Sequence, residues 1–387
     1  MSVGWYLLLV LLLPVLVSFV LNGWLTVYIS RRFTTDDIPS LKGQVFLVTG
    51  KLHFIYHYTS TLMAILFLLM CILGGNSGIG KVMVKELSRH GAHVISTARS
   101  REKCNQSIND IKESLKVPSN SSLEKFAYGK VECLILDLAS FRSIENFKNE
   151  FSKRSKTVNG IILNAGLMMS PYNTTAEGFE IQLGVNYIGH WYLINQFERI
   201  IQKSKNVKNP VRIVTVASNA HDGSYPEGIF LSPFARAVTH PSISGIRFNS
   251  FQNSTGYNSV YAYGQSKLAN VLFSNELAKR LNNTGVTSNS CHPGMIQTNL
   301  GRYIEDMLHQ SLLMKFLYPL FALMSAASMS VEQGALTPLY LATSPQVSGI
   351  TGKYFQPIGV EVTPSHHAQN VTLQQLLWTH TERLIKK

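Results

Sequence analysis

The sequence predicts an α/β fold: one doubly wound parallel sheet forming a single domain, preceded by an N-terminal transmembrane helix. Three observations predict it. Short apolar runs alternate with amphipathic stretches from Val45 to Ile385, the pattern of strands joined by crossover helices. A strand ending in Thr49-Gly50 and a helix entered through Gly75-Asn76-Ser77-Gly78-Ile79-Gly80 read together as a glycine turn between strand and helix. Finally, Gly4 to Ile29 is almost wholly apolar.

That first apolar run is too long for a signal-peptide core. It has no basic flank before it and no small-x-small cleavage site. Trp5, Tyr6, Trp24 and Tyr28 sit where interfacial aromatics belong, and Arg31-Arg32 follow at once, which places the rest of the chain on the cytosolic side. Residues 1–32 therefore read as an anchor, 33–42 as a polar linker with Pro39, and 43–387 as one domain. The expected location is the endoplasmic reticulum or another organelle membrane. The formal net charge of +13 suits an anionic membrane surface. There is no nucleic-acid module and no arginine-rich arm, so nucleic acid is not an expected partner. The four cysteines, Cys71, Cys104, Cys133 and Cys291, show no C-x-x-C pair and no metal spacing. They argue against a metal site and a disulfide framework, and for a reducing compartment. Sequons at Asn105, Asn120, Asn173, Asn253, Asn282 and Asn370 favour a lumen only weakly in so Asn/Ser-rich a chain.

Val45-Phe46-Leu47-Val48-Thr49-Gly50 is the first strand and half of a turn. Glycines there let the backbone approach a pyrophosphate, and the following helix N-terminus offers free N–H groups and a positive dipole end. The other half, from Gly75, comes only after Lys51 to Gly74, a segment apolar from about Thr61 onward. By length it could span a bilayer, but two dozen residues inside a compact turn are improbable. We read it as translated intron or a gene-model error: its removal restores T-G-x-x-x-G-x-G without gap or excess. The next elements are a helix from Lys81 to His90 and a strand ending at Thr97-Ala98-Arg99. No carboxylate closes that strand. Arg99 can instead pair with a 2′-phosphate, which favours NADP(H) over NAD(H).

A helix (Glu102–Leu115), a strand (Val131–Leu138) and a helix (Phe141–Phe151) come next, with Asp137 placed to meet an adenine amino group. The strand Gly160–Gly166 ends in Asn164-Ala165-Gly166. A long helix, Phe179–Ile201, carries Asn186 among apolar residues. A strand (Val211–Ser218), a helix (Val260–Leu281) and a strand (Gly285–His292) complete the central pattern. Met307–Met329 reads as a buried helix or an apolar substrate lid. A helix from Ser330, a strand at Gly352–Phe355 and a C-terminal helix, Leu373–Ile385, close the chain.

Four polar residues fall at strand ends and on adjoining helices, where such a sheet places its chemistry. Tyr263 and Lys267 are spaced i, i+4 and share a helix face. An ammonium about 4 Å from a phenol, at an effective dielectric of about 20, contributes about 4 kcal/mol, or about three pKa units before screening. That brings a tyrosine toward the working range of a general acid. Ser218 ends a strand, so its hydroxyl can hold a substrate oxygen. Asn186 is either a buried polar residue needing a partner or part of a water-held relay to Lys267.

Taken in order, these motifs resemble the short-chain dehydrogenase/reductase family, a Rossmann-type fold, in its retinol dehydrogenase-like and WW-domain oxidoreductase-like branch. The matching residues are the split TG-GNSGIG turn, Arg99, Leu136-Asp137-Leu138, Leu163-Asn164-Ala165-Gly166, VNYIGH around Asn186, VASNAH around Ser218, YGQSKLAN from Tyr263 and HPGMIQT from His292. The resemblance implies Tyr263 as proton donor and acceptor, with Lys267 lowering its pKa and holding the ribose. It implies Ser218 orienting the carbonyl and Asn186 supporting the relay. The cofactor would be held by Gly50, Asn76, Ser77, Gly78, Ile79, Gly80, Arg99, Asp137, Leu138, Asn164, Ala165, Gly166, Tyr263 and Lys267, and by Pro293, Gly294 and Thr298 around the nicotinamide amide. It further implies an alcohol–carbonyl oxidoreductase acting on a retinoid, steroid or other lipophilic small molecule, and a homodimer formed through the helices of Asn186 and Tyr263. The chain departs from the family pattern in the insert, in Ala217 and in the long Ser218–Tyr263 interval, and it has no WW domains. The alternative expectation is a catalytically silent splice product or a membrane-tethered binding protein, because the insert splits the cofactor turn.

Overall fold

The computed structural model describes residues 33–50, 52–54, 78–115, 128–204, 210–225, 245–294, 296 and 329–386. An eight-stranded sheet runs in the order β10-β9-β8-β7-β5-β1-β3-β4. Its strands are β1 (Val45–Val48), β3 (His93–Ala98), β4 (Val131–Ile135), β5 (Gly160–Leu163), β7 (Arg212–Val216), β8 (Thr287–Cys291), β9 (Tyr354–Gln356) and β10 (Val360–Val362). Every pairing is parallel except β10 on β9. From β1 the order proceeds to β3 on one side and β5 on the other. The topological switch point thus lies between the carboxyl ends of β1 and β5, where a doubly wound sheet opens its crevice.

Both faces are covered, so the central strands are continuously apolar rather than alternating. On one face α1 (Ile79–Arg89), α2 (Arg101–Leu115) and α7 (Val331–Thr343) bury Met83, Leu87, Ile111 and Leu339 against Phe46, Val48 and Val214. On the other face α3 (Phe141–Arg154), α5 (Gly189–Ser204) and α6 (Ser259–Arg280) bury Phe147, Phe197 and Leu272 against Leu47, Ile161 and Ile213. Ser140 starts α3 by accepting from Ser143 N, and Asn258 starts α6 by accepting from Val260 N and Tyr261 N. Both are N-caps that satisfy otherwise orphaned donors.

Several expectations change. The stretch read as a linker is packed: Phe33, Ile38 and Leu41 are buried in the core beside α1 and α7. The long helix around Asn186 is broken. α4 (Ile181–Leu183), capped by Glu180, leads into a π-helical turn, Gly184–Ile188, and only then into α5. The cysteine reading is corrected too. Cys104 of α2 is disulfide-bonded to Cys133 of β4, because α2 lies on β4 and sets the two side chains together although no sequence spacing announces it. Cys291 is a buried free thiol, and Cys71 lies outside the described residues.

The insert is described only at β2 (Leu52–Phe54), which pairs in parallel with β6 (Gly166–Met168) as a separate two-stranded sheet; the rest of it lies outside the described residues. Among the described residues no helix is long and apolar enough to cross a membrane. The expected anchor, residues 1–32, and the lid, 307–328, lie outside them. At the C-terminus a short α8 (His366–Gln369) leads into α9 (Val371–Ile385). Trp378 of α9 packs against Trp191 and Phe273, with ring centroids 5.3 and 5.9 Å away, and Thr381 bonds the Tyr187 hydroxyl at 2.8 Å. The chain's own last helix therefore covers part of the α5–α6 face through which a dimer was expected.

Candidate active site

The two halves of the glycine turn meet despite the insert. A side chain at Gly80 would come within 3.2 Å of the Gly50 carbonyl and 3.0 Å of Asn164 Nδ2. Gly78 is the N-cap of α1, with Ile79 buried as its first residue. Asn76 and Ser77 lie outside the described residues. Thr49 is the hub of this end. Its Oγ1 accepts from Asn164 N at 2.8 Å and from Ala165 N at 3.0 Å. Asn164 Nδ2 returns bonds to the Thr49 and Gly50 carbonyls. The ends of β1 and β5 are thus laced together, and the missing side chains at Gly50, Gly78 and Gly80 let β3, α7 and the β1–β5 ends pack closely around the start of α1; a helix N-terminus set there is where a cofactor's pyrophosphate fits.

Thr49 also reaches α5. With two N–H groups already donating to Oγ1, its own proton goes to His190 Nε2, 3.0 Å away, with the Ile162 carbonyl a longer second acceptor at 3.4 Å. The His190 Nδ1–H then donates to the Asn186 carbonyl at 3.0 Å. Burial pushes the His190 pKa down to about 4, with the nearby Lys267 charge acting the same way, so the ring is neutral and this tautomer is fixed. Neither Thr49 nor His190 stood among the expected site residues. Both lay inside quoted motifs, but neither residue type by itself signals the contact.

Asn186 sits at the centre of the π-helical turn and is fully buried. Its Oδ1 accepts from Leu167 N at 2.6 Å, and its Nδ2 donates to Leu167 O and Ser266 Oγ, each at 2.8 Å. These bonds tie the side chain to Leu167, in the segment Gly166–Met168 that follows β5, and to α6, so it braces the two against each other.

Tyr263 and Lys267 occupy the buried face of α6, with Lys267 Nζ 5.7 Å from the centroid of the Tyr263 ring. The ammonium donates to the Val216 carbonyl at 3.0 Å. Burial lowers its pKa to about 8, with Cys291 acting in the opposite sense. Ser218 follows β7 and opens a 3-10 turn, Asn219–Gly223, its Oγ accepting from Ala220 N. That turn can lie flat on α6 because residue 264 is glycine: a side chain there would stand 2.4 Å from the Gly223 carbonyl. Ser218 is brought to the Tyr263 end of the helix by this contact.

The outer residues are more dispersed. Arg99 is exposed just past β3. Asp137 turns Oδ1 back onto Ala139 N at 3.0 Å, while the ends of β3 and β4 are tied by Leu136 N to Ala98 O; Leu138 is buried. Pro293 and Gly294 are buried after β8, Gly294 at φ +96°, and Thr298 lies outside the described residues. His292 beside them is held neutral, its pKa lowered to about 3 by burial and by the nearby His221 and Lys267 charges. No metal-binding cluster of His, Cys, Asp or Glu occurs among the described residues.

The family model described as short chain dehydrogenase matches residues 69–230 and 246–309. Its match begins downstream of β1, consistent with the insert having separated that strand from its turn. Retinol dehydrogenase 14 of Homo sapiens is 35% identical over 81% of this chain and 85% of its own length. The chloroplastic short-chain dehydrogenase TIC 32 B of Brassica napus is 35% identical over 81% of this chain and 87% of its own. The WW domain-containing oxidoreductase of Gallus gallus is 33% identical over 82% of this chain and 67% of its own. An uncharacterized protein from Mycobacterium paratuberculosis superposes with a TM-score of 0.60 at 25% identity, covering 92% of this chain and 98% of that one. The expectation of a protein bound to the endoplasmic reticulum or another organelle membrane, its domain facing the cytosol, is corrected: no described helix can span a bilayer, and one of these relatives carries a chloroplastic name.

Proposed function

Because the chain belongs to the short-chain dehydrogenase/reductase family, in its retinol dehydrogenase-like branch, we propose that this oxidoreductase interconverts a lipophilic alcohol and its carbonyl with NADP(H). The observation that carries the reading is the pairing of Tyr263 with Lys267 on a buried helix face, with the Ser218 turn packed against that helix at Gly264. Gly50, Gly78 and Gly80 let the start of α1 pack closely against the ends of β1 and β5 beside Asn164, which sets a helix N-terminus at the switch point, where a dinucleotide's pyrophosphate would sit. Ala165, Gly166, Pro293 and Gly294 would hold its nicotinamide end, and Arg99 a 2′-phosphate. When bound, the nicotinamide supplies or accepts the hydride.

The chain's own groups do the rest. Tyr263 Oη gives its proton to the carbonyl oxygen in reduction and takes it back in oxidation. Lys267, held by Val216 O, stabilises the phenolate that results. Ser218 Oγ donates to the same carbonyl oxygen and fixes its direction. Asn186 and His190 keep the α5 turn in register with both α6 and the glycine turn. No observation favours the silent alternative. NADPH oxidation with all-trans-retinal, a steroid ketone and a short aliphatic aldehyde tests the substrate class. kcat/KM should be highest for one of the two lipophilic carbonyls. Preference for the short aldehyde overturns the lipophilic assignment, and no oxidation with any of them overturns the activity.

A further inference from the structure

The wall behind Lys267 is polar where a buried sheet face is normally apolar. β8 reads Thr-Ser-Asn-Ser-Cys and is fully buried. It pairs with β7 so that Thr215 lies beside Ser290 and Val216 beside Cys291. Residues two apart on a strand share a face. Ser288 Oγ meets Ser274 Oγ of α6 at 3.1 Å, so Ser290 faces α6 as well. Thr215, between Ile213 and Ala217, faces the same side, where those two pack with Leu268 and Leu272 of α6. Asn270 stands one helical turn before Ser274.

Three oxygens on these residues, Thr215 Oγ1, Asn270 Oδ1 and Ser290 Oγ, are buried without a hydrogen-bond partner. Their residues are 0%, 2% and 0% exposed. The other end of the Asn270 amide is engaged. Its Nδ2 donates at 3.4 Å to the Val216 carbonyl, the same oxygen that Lys267 Nζ approaches at 3.0 Å.

We propose that Thr215, Asn270 and Ser290 form a binding site for one buried water molecule, and that this water positions Lys267. Each of the three oxygens gains a partner: the water donates to Asn270 Oδ1 and to one hydroxyl oxygen and accepts from the other hydroxyl, the three bonds usual for an internal water. Buried polar atoms are rarely left unsatisfied, and three on one face answer one another through a single water. Fixed at Oδ1, the Asn270 amide keeps Nδ2 on Val216 O, and that carbonyl stays aimed at the ammonium. Thr215 and Ser290 are then positioning residues. The proposal rests on the reading of Lys267 as part of the active site.

Thr215→Val tests it, because it removes the hydroxyl and keeps the shape. If a water is bound, the variant strips one of its partners and Tm falls by roughly 2–4 °C. If the oxygen is dry, an unsatisfied group is lost and Tm rises, which overturns the site. A crystal structure of the full chain should show ordered solvent within hydrogen-bond distance of all three oxygens; density for none contradicts the site independently. For the positioning role, kcat for NADPH-dependent reduction should fall roughly tenfold with KM for NADPH unchanged, and Thr215→Ser should restore it. A lower Tm with unchanged kcat keeps the water and overturns the positioning. A parent chain that turns over nothing overturns the oxidoreductase reading alone, since Tm and density are read without turnover.

Discussion

His190 Nε2 lies 3.0 Å from Thr49 Oγ1, joining the first residue of the glycine turn to the helix that braces the Tyr263–Lys267 face. The bond has a direction, hydroxyl to ring, because Thr49 already accepts two backbone N–H groups. It therefore requires a neutral imidazole.

His190→Leu should destabilise the chain by about 1–2 kcal/mol at pH 7, since it leaves the buried Thr49 hydroxyl only its longer bond to the Ile162 carbonyl and the Asn186 carbonyl without the imidazole N–H. The folded-state pKa of His190 is about 4 against an ordinary 6.5. Between those values the unfolded chain binds the extra proton, so the wild type loses stability as pH falls from 6.5 to 4. The leucine variant lacks that slope, and the gap should narrow toward pH 4. Urea unfolding at three pH values checks it; a gap constant with pH contradicts the neutral ring.

Lys267→Met should abolish turnover and yet raise Tm at pH 7. The buried lysine has a folded pKa near 8 against an ordinary 10.5. Holding its charge below pH 8 costs about 3 kcal/mol, a cost that fades as pH rises from 8 to 10.5. The thermal shift should therefore be largest at pH 7 and nearly gone at pH 10.5. A variant less stable than the parent at pH 7 overturns this.

Much of this arrangement was legible in the chain, and the exceptions share a cause. The strands announced themselves because a sheet covered on both faces must be continuously apolar, as Phe46–Val48 and Ile161–Leu163 are. Tyr263 and Lys267 were legible because four residues make one helical turn. The Thr49–His190 bond, the Cys104–Cys133 disulfide and the π-helical turn at Asn186 were not, since each depends on elements brought together across the sheet and not on local spacing. Phe33, Ile38 and Leu41 read as linker because three apolar residues among polar neighbours have no period. The glycine turn was legible only once its halves were joined, and the approach of Gly80 to the Gly50 carbonyl is the spatial form of that joining.

Deletion of 51–74 should tighten NADPH binding. β2 leaves Gly50 and pairs along Gly166–Met168, beside the residues proposed to hold the nicotinamide end, whereas the shortened chain runs directly from Gly50 into Gly75. Fluorescence titration of both forms measures it. Equal affinities would mean that the insert leaves the turn functional and belongs to the working protein.

Arg99→Ala should weaken NADPH roughly 10- to 100-fold, the loss of one charge-assisted phosphate contact, and leave NADH within about twofold. The comparison is of KM for the two cofactors at low salt. Equal losses for both would place the 2′-phosphate elsewhere.

Removing the Tyr263 hydroxyl tests the proposed proton transfer at its source. The most direct measurement is single-turnover reduction of a lipophilic aldehyde by NADPH in the parent and in Tyr263→Phe, with NADPH affinity measured on the same samples. The rate should fall roughly 100- to 10,000-fold, with NADPH bound within about twofold of the parent. A rate within tenfold of the parent's would contradict the transfer.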